Sequence, residues 1–119
     1  MTDNLVKISL AAGTRNGTSH GIATVTNGQY VRVDTVDLHR GTQPEAMYKL
    51  VIATLEYARR VVTFAKGVPV SFELTVDNLT ATQINGTAKC HAPNLLPLWA
   101  RAKKAMEGLD VTIRTDAAF

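Results

Sequence analysis

The sequence predicts a mixed α/β fold in which a five-stranded mixed sheet carries two long helices on one face. Three strand-like segments follow one another at the N-terminus, and an Asn-Gly pair joins the second to the third. Two long amphipathic segments come later, each with a strand-like segment after it. The element order is β-β-β-α-β-α-α-β within 119 residues, a length typical of one domain.

The N-terminal third is predicted to form an antiparallel meander. Alternation of apolar and polar side chains predicts a first strand over residues 5–11. A Gly-rich turn over residues 13–17 separates it from a second strand over residues 20–26. Asn27-Gly28 then predicts a two-residue hairpin turn to a third strand over residues 29–38, because both turn residues accept a positive φ.

The longest helix begins at a strong start signal. Thr42 and Glu45 have the spacing of a capping box, and Pro44 suits the first turn, where a missing N–H costs nothing. Apolar residues then recur at steps of three and four, which is the pattern of one buried stripe. The helix is predicted to end near Lys66-Gly67.

The C-terminal half is predicted to be β-α-α-β. Strict alternation predicts a strand over residues 68–77, and Asp77 is the N-cap of a short helix that ends at residue 85. Asn94 caps the second long helix, and a last strand covers residues 109–115. Because crossover connections place both long helices on one face, the other face is expected to stay open and polar. The side chains expected there are Lys7, Ser9, Ser71, Glu73, Thr75 and Arg114.

Composition excludes several classes of protein. The single cysteine, Cys90, permits neither an internal disulfide nor a cysteine-rich zinc site, and the three histidines do not fall at metal-ligand spacing. We therefore expect no metal and no cofactor. No apolar run approaches the length of a membrane span and the N-terminus does not resemble a signal peptide, so we expect a cytoplasmic protein without a membrane partner. The net charge of +3 permits nucleic acid as a partner without requiring it.

Three stretches carry a resemblance to a known family. Residues 10–17 are similar to a strand-one Asp-Gly-Ser segment, residues 42–58 to a Thr-Asn-Asn-Arg-x-Glu helix start, and residues 98–113 to a Leu-Trp helix before a fifth strand. On these stretches the sequence resembles the ribonuclease H-like family over nearly its whole length. The resemblance implies the same element order and one domain over residues 1–119.

The resemblance also implies that the catalytic site is degenerate. Enzymes of this family hold two Mg²⁺ ions on carboxylates, and the metals hydrolyse a nucleic-acid phosphodiester. Matched residue by residue, the first Asp falls on Ala12, the helix Glu on Met47, and the strand-four Asp on Asp77 or, one register earlier, on Thr75. The last carboxylate lies beyond strand five, where the nearby acid is Asp116. A methyl group and a thioether do not bind Mg²⁺, so the resemblance implies no two-metal catalysis.

Three functions remain open from the sequence. The first is a non-catalytic ribonuclease H-like domain that binds nucleic acid or serves as a scaffold. The second is a protein-interaction module that forms a homo-oligomer through the polar sheet face or the edge strands, with no nucleic-acid role. The third is a divalent-metal nuclease with the atypical ligands Asp77, Asp116 and Glu73. A small domain of this kind would suit a phage or mobile-element protein.

Basic side chains give the first function its candidate contacts with phosphate. All of them are also compatible with a plain solvated surface, and those near helix ends with favourable placement in the helix dipole. They are Arg15, Arg59, Arg60, Arg101, Lys103 and Lys104.

Overall fold

A computed structural model of the protein describes residues 5–15, 18–27 and 30–115. One mixed sheet has the strand order β3-β2-β1-β4-β5. The first three strands are antiparallel neighbours, whereas β1, β4 and β5 run parallel. The elements are β1 (Leu5–Arg15), β2 (Thr18–Asn27), β3 (Tyr30–Arg40), α1 (Gln43–Ala65), β4 (Ser71–Val76), α2 (Asn78–Asn85), α3 (Leu96–Met106) and β5 (Asp110–Thr115). The predicted order and the five-stranded sheet are confirmed.

The core lies between the inner face of the sheet and the helices. Alternate residues of the strands point into it, as with Ile8 at 1% exposed and Leu74 at 0%. Helix α1 covers β1 and β2 and packs against α3. On the outer face, the described side chains of β4 and β5 include polar residues that are exposed or half-buried, and an ion pair of 3.2 Å joins Arg114 of β5 to Glu73 of β4. Ile22 of β2 is an apolar exception at 45% exposed. Within the described residues, no helix combines the length and apolarity needed to cross a membrane.

The starts of α1 and α2 follow the sequence closely. The Thr42 backbone N–H donates to Oε1 of Glu45 at 2.8 Å, and the Glu45 N–H donates to the Thr42 hydroxyl at 3.4 Å, which completes the capping box. Asp77 caps α2 as predicted. Helix α1 ends at Ala65, followed by Lys66 in the left-handed region at φ 51°.

Two predicted boundaries are wrong for identifiable reasons. Strand β4 begins at Ser71 rather than at residue 68, because the chain before it still closes the end of α1, where the Val68 N–H donates back to the Ala65 carbonyl at 3.2 Å. Ser71 is also the residue at which the pairing of β4 with β5 begins, opposite Asp110. Asn94 does not cap α3; the N-cap is Leu95, which makes no side-chain cap bond. The Asn94 side chain instead contributes to the lowered pKa of Glu45.

The first hairpin is longer than its apolar pattern suggested. Alternation stops after Ala11, but β1 continues to Arg15, and β2 begins at Thr18 rather than at residue 20. Gly13, predicted to lie in a turn, pairs with His20 inside the ladder. This end of the β1–β2 hairpin is held by backbone hydrogen bonds, so the sequence there does not alternate between apolar and polar residues.

Candidate functional site

A cleft of about 520 Å³ opens at the carboxyl edge of the sheet. The pairing of β1 with β4 ends at Ser9 opposite Thr75, after which β1 continues along β2 while the chain leaves β4 and turns into α2. The two strands therefore part, and the cleft forms between them. It is lined by Ser9, Leu10, Ala11, Ala12, Gln43, Met47, Thr75, Val76, Asp77, Asn78 and Thr115.

The structure brings together the three positions at which the resemblance placed metal ligands. Ala12 comes from β1, Met47 from the second turn of α1, and Asp77 from the residue after β4. Met47 is only 2% exposed and belongs to the core, and half-buried Ala12 packs against the same core. Neither side chain has an oxygen to offer a hard cation.

Asp77 already has a structural role. Its Oδ1 accepts the backbone N–H of Thr80 at 2.8 Å, which satisfies one of the free donors at the start of α2. Among the described residues, no group of three His, Cys, Asp or Glu side chains lies close enough together to hold a metal ion. Since Mg²⁺ needs several oxygen ligands in near-octahedral geometry, this part of the cleft does not fit the two-metal site.

The atypical ligand set is not assembled in the described part of the chain either. Glu73 lies on the open face of the sheet, where it pairs with Arg114, and it does not line the cleft that contains Asp77. The alternation of β4 puts Glu73 on that face, two residues before Thr75. Asp116, the remaining member of the set, lies outside the described residues.

The other polar groups of the cleft are neutral. Gln43 and Asn78 are the first residues of α1 and α2, and Thr115 is the last residue of β5. Sequence reasoning missed these three, although the first two stand directly after the predicted N-caps. Backbone N–H groups at a helix start favour anions, so the lining offers hydrogen bonds and weakly positive potential.

Glu45, the acid nearest in the sequence to the start of α1, is already hydrogen-bonded within the capping box. The backbone N–H and the hydroxyl of Thr42 hold the pKa of Glu45 below its usual range, and Asn94 adds a further hydrogen bond. Glu45 is therefore a stable anion within the capping box rather than a group that lines the cleft.

Comparison with known proteins settles the fold. No family model matches the sequence, and neither does any curated protein. The RNase H1 of the halophilic archaeon Halobacterium salinarum superposes with a TM-score of 0.75 at 23% identity, over 96% of this chain and 88% of that one. LC11-RNase H1, solved in complex with an RNA/DNA hybrid, gives 0.77 at 15% identity over 93% and 84%. The chain has the ribonuclease H fold. The N-terminal RNase H domain of a Mycobacterium tuberculosis protein gives 0.73 at 22% identity over 96% and 81%.

On this ribonuclease H fold, two of the basic candidates bind the protein itself. Nη2 of Arg59 donates to the carbonyls of Ala105 and Glu107 at 2.8 and 2.9 Å, at the end of α3. Nζ of Lys103 donates to the Ile84 carbonyl at 2.9 Å, at the end of α2. These contacts account for both side chains as ties between helices, which is a different role from the predicted phosphate contact.

Three of the remaining candidates, Arg60, Arg101 and Lys104, are exposed and do not line the cleft. Arg60, Arg101 and Lys104 have no ionic or hydrogen-bond partner within the described part of the chain. The side chain of Arg15 lies outside the described residues. None of the described basic candidates lines the cleft.

Proposed function

We propose that this domain binds nucleic acid and does not hydrolyse it by a two-metal mechanism. One observation carries the proposal: Ala12, Met47 and Asp77 meet in the cleft and supply a single carboxylate, which caps a helix. Two-metal hydrolysis needs a cluster of oxygen ligands that activates water and stabilises the leaving oxygen. A methyl group, a thioether and one occupied carboxylate do not supply it.

Apart from Asp77, the side chains that line the cleft are neutral, which supports a nucleic-acid backbone as its ligand. A cluster of unmetallated carboxylates would repel phosphate, whereas Gln43, Asn78 and the starts of α1 and α2 offer hydrogen-bond donors. LC11-RNase H1, which shares the fold, is solved with an RNA/DNA hybrid, and this makes the hybrid the first probe to use. The exposed Arg101 and Lys104 supply positive charge on α3.

The test combines cleavage and binding on the same material. We expect no Mg²⁺- or Mn²⁺-dependent cleavage of RNA/DNA hybrid, duplex or single strands under conditions in which an active RNase H1 cleaves the hybrid completely. We expect hybrid binding by fluorescence anisotropy, with an affinity that falls as salt rises because phosphate contacts release counterions.

Two results would sink the proposal. Cleavage by the wild type that Asp77→Asn abolishes would mean that the cleft holds a working metal site. Absence of hybrid binding even at about 20 mM salt, where phosphate contacts are strongest, would remove the nucleic-acid role.

A second candidate function is a scaffold that associates through the open sheet face. Lys7, Ser9 and Arg114 are exposed on that face, and Ser71, Glu73 and Thr75 are only half-buried. Static light scattering separates the two candidates. A stable oligomer without salt-dependent nucleic-acid binding favours the scaffold, and a monomer that binds the hybrid favours the first proposal.

A further inference from the structure

A second pocket, of about 300 Å³, lies between α2, the loop that follows it and the start of α3. It shares no residue with the cleft, and its wall is mainly apolar. Leu96 at the first position of α3 is 42% exposed there, although large apolar side chains are usually buried. The lining residues are Gln83, Gly86, Ala88, Lys89, Cys90, His91, Leu96 and Trp99.

Several polar groups around this pocket are already bonded within the protein. The hydroxyl of the fully buried Tyr48 donates to Oε1 of Gln83 at 2.7 Å. Nε1 of Trp99 donates to the Gln83 backbone carbonyl at 3.0 Å. These bonds fix the indole and the carboxamide oxygen in place, so the surface facing the pocket is a rigid apolar wall with a thiol, Cys90, at its side.

The pocket lies in the basic part of the sequence. Residues 78–106 contain four Lys and Arg and no Asp or Glu, whereas the whole chain has a net charge of +3. The rest of the chain therefore has a net charge of −1. Lys89 and His91 stand on the rim, both exposed, and Lys104 is exposed on α3. An apolar wall that is bordered by Lys89 and by a helix with exposed Arg101 and Lys104 favours a ligand that is acidic around an apolar centre.

We propose that this pocket docks an acidic peptide segment of another protein by one large apolar side chain. The apolar side chain enters between Leu96 and Trp99, and flanking carboxylates face Lys89 and the basic surface of α3. A volume of about 300 Å³ accommodates one side chain or ring and is at the lower end for small-molecule sites, which run to about 1,000 Å³.

A nucleobase fits the same pocket less well. Enzymes that accept a flipped base read its Watson–Crick edge with hydrogen bonds and stack it between side chains. Here the Trp99 N–H and the Gln83 carboxamide oxygen are already used inside the protein. The apolar wall that remains is suited to an apolar side chain, which needs no hydrogen bonds for its recognition.

The protein contains its own reporters for this pocket. Trp99 is the single tryptophan and Cys90 the single cysteine, and both line it. The probe is an acetylated, amidated peptide of sequence Asp-Glu-Asp-Phe-Asp-Glu-Asp. We expect it to change Trp99 emission and to slow alkylation of Cys90 by iodoacetamide with the same midpoint, and to do both less well as salt rises. A peptide with Ser in place of Phe, and one with Asn and Gln in place of the acids, should each bind more weakly.

Two exposed leucines provide a matched pair of variants. Leu96→Gln removes an apolar group from the pocket, whereas Leu79→Gln changes a leucine of similar exposure, 44% against 42%, that does not line it. We expect Leu96→Gln to weaken peptide binding about three- to tenfold, the worth of burying the remaining exposed part of that side chain, and Leu79→Gln to change it less than about twofold. Lys89→Glu should weaken it about two- to fivefold.

Four results would overturn the proposal. One is no change in Trp99 emission or Cys90 alkylation up to about 1 mM peptide. A second is equal weakening by the two leucine variants. A third is protection of Cys90 by an RNA/DNA hybrid but not by the peptide, which would assign the pocket to nucleic acid. The last is protection that rises with protein concentration alone, with a dimer in light scattering, which would assign it to a second copy of this chain. None of these results affects the expected absence of cleavage in the cleft.

Discussion

Introducing carboxylates into the cleft tests whether their absence at positions 12 and 47 explains the proposed lack of metal chemistry. The double variant Ala12→Asp, Met47→Glu places two acids beside Asp77, on the two side chains that line the cleft from β1 and α1. We expect this variant to gain a response to Mn²⁺ that the wild type lacks. The reason is ligand number, since three carboxylates on neighbouring elements form a hard-cation site whereas one does not.

The metal-free variant should be much less stable than the wild type. Met47 is 2% exposed, and a carboxyl group buried to that extent has its pKa raised by up to about 3–5 units. At 1.36 kcal/mol per unit, keeping that group ionised costs about 4–7 kcal/mol. The lower end applies because the side chain borders an open cleft. A domain of this length has a total stability of roughly 6–18 kcal/mol, so the loss is a large fraction of it.

Mn²⁺ should restore part of that loss. A ligand at 100 times its Kd stabilises the folded state by about 2.7 kcal/mol, which corresponds to a rise in Tm of roughly 8–16 °C for a domain of this size. The measurement is thermal unfolding followed by circular dichroism, with and without Mn²⁺. The matched control is Ala12→Asn, Met47→Gln, which has the same shapes and hydrogen-bonding atoms without charge and should show no rise.

Three outcomes would refute the reasoning. A wild type that responds to Mn²⁺ as strongly as the double variant would mean that Asp77 and its neighbours already form a metal site. An equal response from the uncharged control would show that the metal stabilises through some other surface. A folded double variant without any response would show that the three positions do not converge as the structure places them. If the double variant does not fold, the same Mn²⁺ measurement is made on Ala12→Asp alone. Half-buried Ala12 tolerates an acid better than the buried Met47 does.

Three further predictions concern the contacts around the site. Tyr48→Phe should lower the free energy of unfolding in urea by about 1–3 kcal/mol, because it leaves Oε1 of the 93%-buried Gln83 without its donor, and a loss below about 0.5 kcal/mol would contradict that. Burial raises the pKa of Tyr48, so the folded state favours the neutral phenol. The stability that this provides is complete below pH ~10 and falls as pH rises above it. Tyr48→Phe should therefore flatten the decline of the free energy of unfolding at alkaline pH. Asp77→Ala should cost about 1 kcal/mol with or without divalent metal, whereas Asp77→Asn, which also caps, should cost much less. Arg59→Ala should lower the free energy of unfolding by about 1 kcal/mol and leave hybrid binding unchanged. Arg101→Ala should leave stability unchanged and reduce the salt slope of hybrid binding by about 1. The reverse pattern would reject the assignment of these two side chains.

The fold was predictable where local signals and burial agree. The capping box at Thr42 and Glu45, the N-cap at Asp77 and the apolar stripe of α1 each appear in the structure as expected. The failures lie where long-range pairing decides a boundary. Strand β4 pairs with β1 and β5, which are distant from it in the sequence. No window of sequence contains those contacts, so alternation alone does not locate the first residue of the strand.

The site was predictable in its position and only partly in its chemistry. The match to the ribonuclease H-like pattern placed Ala12, Met47 and Asp77 at the positions of the metal ligands. The structure brings these three residues into one cleft. The basic residues were harder to interpret, because a pattern of exposure does not distinguish a free cation from one that ties two helices. Arg59 and Lys103 differ from Arg101 only in the carbonyls that the fold brings within reach.

Met47 and Ala12 stabilise the cleft in a way that carboxylates at the same two positions would not. A metal site needs acids held close together, and such a cluster destabilises the metal-free protein by like-charge repulsion and desolvation. In this chain Met47 joins the core at 2% exposed, and burying a methionine side chain stabilises by about 1.5–3 kcal/mol. Asp77 stabilises the start of α2 through Thr80. The metal-free cleft is therefore more stable than a carboxylate cluster in the same place would be, and a single substitution does not supply three carboxylates.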